Sequence, residues 1–179
     1  MIDLLRTRRS IRKYSQKPVD KKSVEVLIEA LLRAPTSRNS KSCEFIIVDD
    51  RELLSKLSKT RESGSQHLQG AALGVVVCAD SGKSDVWVED CSLASILVQM
   101  TAHSLGLGSC WIQVRNRNHT DAMTAEQYIQ GLLGLPGHIK VESIISIGHP
   151  DETKEPIKKD ALEYNRARHN QYSQHYQRP

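Results

Sequence analysis

Hydrophobic and polar positions fall into blocks along this chain, and the spacing within each block predicts an element. Between Val86 and Trp111, Leu93, Ile96, Leu97, Met100 and Leu107 recur at helical spacing and no Lys or Arg interrupts them. The pattern predicts a helix of roughly five turns. Ala94, Ser95, Ala102 and Ser104 put small side chains on its other flanks. A helix this apolar is expected to be buried on most sides. Gly106 and Gly108 should end it, and Ser109 to Val114 reads as a strand leaving its end.

The rest of the chain can be arranged around that unit. Ile2 to Arg6 suggests a short first helix. Pro18-Val19-Asp20 is a helix-start signal, and Val24, Leu27, Ile28, Leu31 and Leu32 make an apolar stripe over an amphipathic helix from Lys21 to Ala34. The loop from Ala34 to Ser42 is rich in good turn formers. Cys43 to Val48 and Ala72 to Ala79 are apolar runs that read as buried strands. Between them lie a polar helix over Asp50 to Arg61 and a loop or loose helix over Glu62 to Gly70. Arg115 to Thr120 reads as a polar loop, Ala125 to Leu133 as a helix closed by Gly134 to Gly137, and Val141 to Ile147 as the fourth strand. Alternating helices and buried strands predict an α/β (α+β) protein with a mixed central β-sheet flanked by helices. One domain is expected over 1–179. Residues 151–179 hold too few apolar side chains for a core and are expected to lie as an extended arm on another surface.

Composition narrows the chemistry. Aromatics are only 4 % of 179 residues, with one Phe, so aliphatic side chains must build the core. No apolar run is long enough for a membrane span. The opening MIDLLRTRRS lacks a secretory signal's apolar run and cleavage site, so a cytoplasmic protein is expected. Four cysteines without CxxC spacing suit a reducing compartment better than a disulfide or zinc framework. The seven His residues show no HxxxH or HExxH spacing, and no metal site is expected. His103 reads as a satisfied interior or interface histidine.

Net charge is +4, but residues 1 to 22 carry eight Lys/Arg against Asp3 and Asp20, a local +6 that leaves the remainder at −2. Charge gathered at one end suits a compact anion more than a nucleic-acid track. Within it, Arg8, Arg9, Ser10 and Arg12 can surround a phosphate, since Arg offers a planar fork of donors and Ser a short adaptable one. A solvated surface or disordered arm would have the same composition, and that reading stays open on these residues alone. Thr36, Ser37 and Asn39 could hold a polar ligand edge or simply form the loop. Glu89 and Asp90, adjacent on a helix, diverge by about 100° and make no acid pair. No nucleophile or acid–base set is evident, so reactivity would come from a bound organic cofactor, and no catalytic side chain is named.

RRSIRKY at Arg8 to Tyr14, APTSRN at Ala34 to Asn39, LGLGSCWI at Leu105 to Ile112, LGLP at Leu133 to Pro136 and ISIGHP at Ile145 to Pro150 follow one another in order. Together they resemble the nitroreductase family of FMN-dependent oxidoreductases over nearly the whole chain. That resemblance implies a homodimer with a nitroreductase-like FMN-binding fold and a domain-swapped C-terminal arm at about 151–179. It implies that Arg8, Ser10 and Arg12 hold FMN at its phosphate and pyrimidine edge, with Arg9 beside them. Thr36, Ser37 and Asn39, flanked by Pro35 and Lys41, would reach the partner's flavin. Ser109, Cys110 and Trp111 would run past the ring, Gly148 and His149 would pass near the phosphate, and Lys158 or Lys159 would add a cation. The chain departs from the family where Lys41-Ser42-Cys43 replaces a common Gln-Pro-Trp, and where Lys158, Lys159 and Asp160 stand in place of an Arg. The activity implied is ping-pong turnover, in which NAD(P)H delivers hydride to flavin N5 and a nitroaromatic, quinone or similar acceptor removes the electrons. A specialised flavin-dependent reductive enzyme of the same fold and a non-catalytic flavin- or nucleotide-binding module are the alternatives. Neither nucleic acid nor membrane is an expected partner.

Overall fold

The computed structural model describes residues 1–177. Four strands form one sheet in the order β1-β2-β6-β3: β1 (Cys43–Val48), β2 (Leu73–Asp80), β3 (Gly108–Gln113) and β6 (Ile139–Gly148). Every neighbouring pair is antiparallel. Parallel pairing is confined, among the described residues, to one isolated bridge, Ser10 with Ser109. The expected mixed sheet is therefore an antiparallel one. A continuous apolar run reports burial on both faces and says nothing of strand direction.

Helices supply that double cover. One face of β2 and β6, through Val75, Val77, Ile145 and Ile147, packs on α2 (Lys21–Leu32) and α4 (Trp87–Ser104). The other face, through Val76 and Ile144, packs on α3 (Arg51–Leu57) and α5 (Ala125–Leu133). Ile144, Ile145 and Ile147 are completely buried, and each such side chain contributes about 1.5–3 kcal/mol relative to exposure.

Caps set the helix ends. Asp20 accepts from the Ser23 amide to start α2, and Asp50 from the Leu53 amide to start α3. Thr124 and Gln127 form a reciprocal capping box on α5, and Gly134 closes that helix in the left-handed region. The helix α3 is shorter than the Asp50 to Arg61 expected. Ser58 and Thr60 turn their hydroxyls onto the carbonyls of Ser55 and Leu57, and Ser65 bonds the Ser58 carbonyl, which draws the chain off the helix axis. The polar loop after Val114 contains a small hairpin of β4 (Asn118–Thr120) and β5 (Met123–Thr124).

Apolar side chains remain uncovered on α4 and on the first helix. On α4, Asp90, Cys91, Ala94, Ser95, Val98 and Ala102 turn inward, whereas Leu93 and Ile96 are exposed. Burial on most sides, expected from composition, is not met within one chain. Ile2 and Leu5 of the helix α1 (Ile2–Thr7) are likewise exposed. The tail is not wholly extended: short 3-10 turns at Lys159–Ala161 and Tyr164–Arg166 precede a hairpin of β7 (Arg168–His169) and β8 (Gln171–His175), exposed on all its residues. No described helix is long and apolar enough to cross a membrane.

Candidate functional site

The Arg-rich segment is an ordered strap. Leaving α1 at Arg8 in extended conformation, it is stitched between the ends of two strands. The Ile11 amide donates to the Ser109 carbonyl of β3 at 3.0 Å. The Ser15 amide donates to the His149 carbonyl at 2.9 Å, and the Asp151 amide to the Lys13 carbonyl at 2.9 Å, so the strap also pairs with the chain leaving β6. Gly108 makes the close approach possible, because a Cβ there would lie 2.8 Å from Cβ of Ile11. A Cβ on Gly148 would lie 2.9 Å from the Tyr14 ring. Gly148 thus makes room for Tyr14, a role the resemblance did not anticipate. The Tyr14 hydroxyl bonds the Ile11 carbonyl and, at 2.8 Å, the Ser146 hydroxyl. Burial drives its phenol pKa above the ordinary value.

Once pinned, the strap lines two clefts. Arg8, Arg9, Ser10 and Arg12 line one of about 330 Å³ together with Lys154. Arg8 and Arg9 line the other, of about 240 Å³, with Gly108, Ser109 and His103 among its walls. Among the described residues none of the three guanidiniums is ion-paired to a carboxylate. Arg9 donates to the Glu155 carbonyl. Glu152 accepts from the Arg12 amide at 2.6 Å and from Lys154 at 3.1 Å. The Arg12 amide, followed by the Lys154 ammonium, holds the Glu152 pKa below the usual carboxylate range. The balance of side chains is strongly cationic, which suits a phosphate.

Cys110 and His67 complete the neighbourhood. The buried Cys110 thiol has a raised pKa, burial outweighing the nearby Arg12 charge and the Ser10 hydroxyl. His67 Nε2 is buried without a hydrogen-bond partner among the described residues. Burial foremost, then the Arg12 charge, lowers the His67 pKa to about 4, so the ring is neutral near pH 7.

The second expected group lies elsewhere in the chain. Thr36, Asn39 and Lys41 line a separate cleft of about 150 Å³ with Cys43 and Phe45. Pro35 and Ser37 flank it, and Arg38, Asn39 and Lys41 all adopt positive φ. Such a run of left-handed residues is costly unless something holds it. Asp90, 3 % exposed at the start of α4, does so. It accepts from the Ser37 amide at 2.9 Å and from the Ser84 and Ser42 hydroxyls at 3.2 and 3.4 Å. The Lys41 amide bonds the Thr36 hydroxyl at 3.1 Å.

One chain therefore brings Arg8, Arg9, Ser10, Arg12, Ser109, Cys110, Gly148 and His149 together, and keeps Pro35 to Lys41 apart from them. Trp111 is half-buried and donates to the Gln113 side chain at 2.9 Å. Lys158 and Lys159 are exposed and line neither cationic cleft; Lys154 does. Sequence reasoning missed Lys154, Glu152, His67 and Asp90. For Asp90 a signal existed: it shares an i, i+4 stripe with Ala94 and Val98, and a carboxyl on a buried stripe demands partners.

An antiparallel sheet between helix layers, with a cationic strap on its strand ends, defines an α+β protein. The chain belongs to the nitroreductase family, whose model matches residues 5–87 and 60–149. It is 45 % identical to an FMN-dependent nitroreductase from Clostridium difficile R20291, with a TM-score of 0.95 over 96 % of this chain and 100 % of that one. A relative from Archaeoglobus fulgidus, provisionally named an NADH dehydrogenase/NAD(P)H nitroreductase, is 38 % identical over 158 residues, covering 86 % of this chain and 87 % of the relative. An FMN reductase [NAD(P)H] from Bacillus subtilis is 30 % identical over 171 residues, covering 84 % and 66 %.

Proposed function

We propose that this chain is an FMN-dependent NAD(P)H oxidoreductase that works as a homodimer and reduces a nitroaromatic, quinone or similar acceptor. The carrying observation is the stitched strap, which holds Arg8, Arg9, Ser10 and Arg12 around a cleft in a chain of this family. The residues fit the cofactor: guanidiniums with no carboxylate partner among the described residues, and a hydroxyl beside them, suit its phosphate. Bound FMN would supply the electron-transfer chemistry between NAD(P)H and the acceptor, the two substrates using the site in turn.

The chain's own contribution is binding and electrostatics. Arg8, Arg9 and Ser10 are the phosphate ligands, with Lys154 nearer to them than Lys158 or Lys159. Arg12 is the cation for the pyrimidine edge. Ser109 and Cys110 form the wall along the strap. Thr36, Ser37 and Asn39 serve the partner's flavin, a reading supported by their separation from the cationic clefts within one chain. The exposed apolar residues Ile2, Leu5, Leu93 and Ile96 and the exposed tail support a dimer in which α4 lies at the interface and the arm wraps the partner.

An absorbance spectrum of the purified protein, before and after anaerobic NADH or NADPH, tests the proposal. A bound flavin spectrum that bleaches, and returns with a quinone or nitroaromatic, is expected. Light scattering should give twice the chain mass. A protein that gains no flavin spectrum on adding FMN overturns the reading. Bound flavin that neither donor bleaches would assign a binding module instead.

A further inference from the structure

Two cysteines stand face to face beside the cleft of Thr36, Asn39 and Lys41, and neither is given a part in holding the flavin. Cys43 opens β1 and Cys91 lies in the second turn of α4, with their Sγ atoms 3.7 Å apart. Both are free thiols. Their accessibilities differ: Cys43 is half-buried and lines the cleft with Thr36, Asn39 and Lys41, whereas Cys91 has no exposure at all. A small reagent entering that cleft meets Cys43 first and finds Cys91 directly behind it.

The polarity of the pair matches that order. The two sulfurs are within hydrogen-bonding range, and the contact lowers the Cys43 pKa despite its partial burial. The same contact raises the Cys91 pKa, and burial adds to it. A thiol held toward its thiolate at an accessible position, with a second thiol in contact, is the arrangement of an attacking and a resolving cysteine. Both residues are held by the core. Cys43 is paired with Ala79 across the sheet, and the Cys91 thiol donates to the Cys78 carbonyl at 3.5 Å. The sulfurs have only to close from 3.7 Å to the ~2 Å of an S–S bond.

We propose that Cys43 and Cys91 form a reversible intramolecular disulfide and are a redox site operated by small peroxides. The Cys43 thiolate attacks one peroxide oxygen. The O–O bond breaks, hydroxide departs, and Cys43 becomes a sulfenic acid. The Cys91 sulfur then attacks the Cys43 sulfur; the S–S bond forms as the sulfenic hydroxyl leaves with the Cys91 proton as water. Two thiols are oxidised by two electrons, and one hydrogen peroxide is reduced to two waters. An external dithiol reverses the change. The bond would tie the start of β1 to α4 beside Ser42 and Asp90, the residues that hold the loop carrying Thr36 to Lys41.

The test treats the folded full-length protein with hydrogen peroxide, blocks remaining thiols with N-ethylmaleimide, and maps peptides without reduction. Loss of two of the four thiols and a cross-linked Cys43–Cys91 peptide that dithiothreitol abolishes are expected. In Cys43→Ala, the cross-link disappears and Cys91 stays alkylatable after unfolding. In Cys91→Ala, Cys43 is carried on to sulfinic acid, and circular dichroism checks that each variant is folded. Oxidation of wild-type Cys43 to sulfinic acid with Cys91 still a thiol overturns the proposal. So does a reducible link between the Cys43 residues of two chains.

Discussion

Replacing Asp90 by Ala should loosen the loop carrying Thr36 to Lys41 more than any single change within that loop. The carboxyl accepts three hydrogen bonds, from the Ser37 amide and the Ser84 and Ser42 hydroxyls. The hydroxyls can rotate to other partners, but the Ser37 amide cannot. An orphaned amide costs about 1–3 kcal/mol, and each lost serine bond about 0.5–1 kcal/mol more. Against these, the three positive-φ residues Arg38, Asn39 and Lys41 lose the contact that keeps them in place. A destabilisation of about 3 kcal/mol follows, and with a urea dependence of about 2 kcal/mol/M this moves the midpoint down by about 1.5 M. Asp90→Asn keeps one acceptor for the Ser37 amide and should lose only about 1 kcal/mol. Urea unfolding at one fixed protein concentration measures both, since dimerisation would otherwise shift the midpoint by mass action. Hydrogen exchange should accelerate over residues 35–42 before it does in β2. A midpoint shift in Asp90→Ala below about 0.3 M, or unchanged exchange in that loop, would refute Asp90 as its anchor.

Four other substitutions test separate parts of the structure. Gly108→Ala drives a methyl into Ile11, costs about 1–3 kcal/mol of overpacking, and should weaken FMN binding in a fluorescence titration by about tenfold, because the strap must lift. Tyr14→Phe loses the hydroxyl bonded to Ile11 and Ser146 and should cost about 1–2 kcal/mol in thermal unfolding. His67 has a pKa of about 4 in the folded chain against an ordinary 6.5. The unfolded chain therefore binds more protons between those values, and stability falls as pH is lowered from 6.5 toward 4. His67→Gln should flatten that part of a stability–pH curve. Thr124→Ala removes the capping box of α5 and should lower stability by about 1 kcal/mol in the same urea assay.

Helices and buried strands were legible because their apolar spacing survives in the sequence. The Leu27 and Leu31 stripe of α2 and the Val75 to Ala79 run of β2 both sit in the core as their spacing implies. Strand direction was not legible, because Val75 and Val76 would be buried on opposite faces in either a parallel or an antiparallel sheet. The end of α3 was hidden for a related reason. Ser58, Thr60 and Ser65 leave the helix through hydroxyl bonds that depend on three-dimensional placement. In the candidate site, the cluster of Arg8, Arg9, Ser10 and Arg12 stands out by charge density alone. Its stitching to Ser109 and His149 comes from distant segments, and no local pattern encodes it. Lys154 and Glu152 were passed over because an isolated Lys or Glu in a polar tail looks like solvated surface until the fold brings it to the strap.

The strap sets stability and binding against each other. Arg8, Arg9 and Arg12 fall within five residues, and the fold adds Lys154 to the same cleft. Like charges at that spacing repel, and an unconstrained chain would spread them through solvent. Backbone bonds to β3 and to the end of β6, with Tyr14 locked over Gly148, prevent that spreading. Glu152 offsets one unit of charge through the Arg12 amide and Lys154, yet all three guanidiniums are left without a carboxylate partner among the described residues. The uncompensated charge is thus imposed by the fold rather than by the strap's own preference. A dianionic phosphate placed there relieves the repulsion and gains donors that need no reorganisation. The same rigidity that costs the free chain stability is what leaves the site ready for an anion.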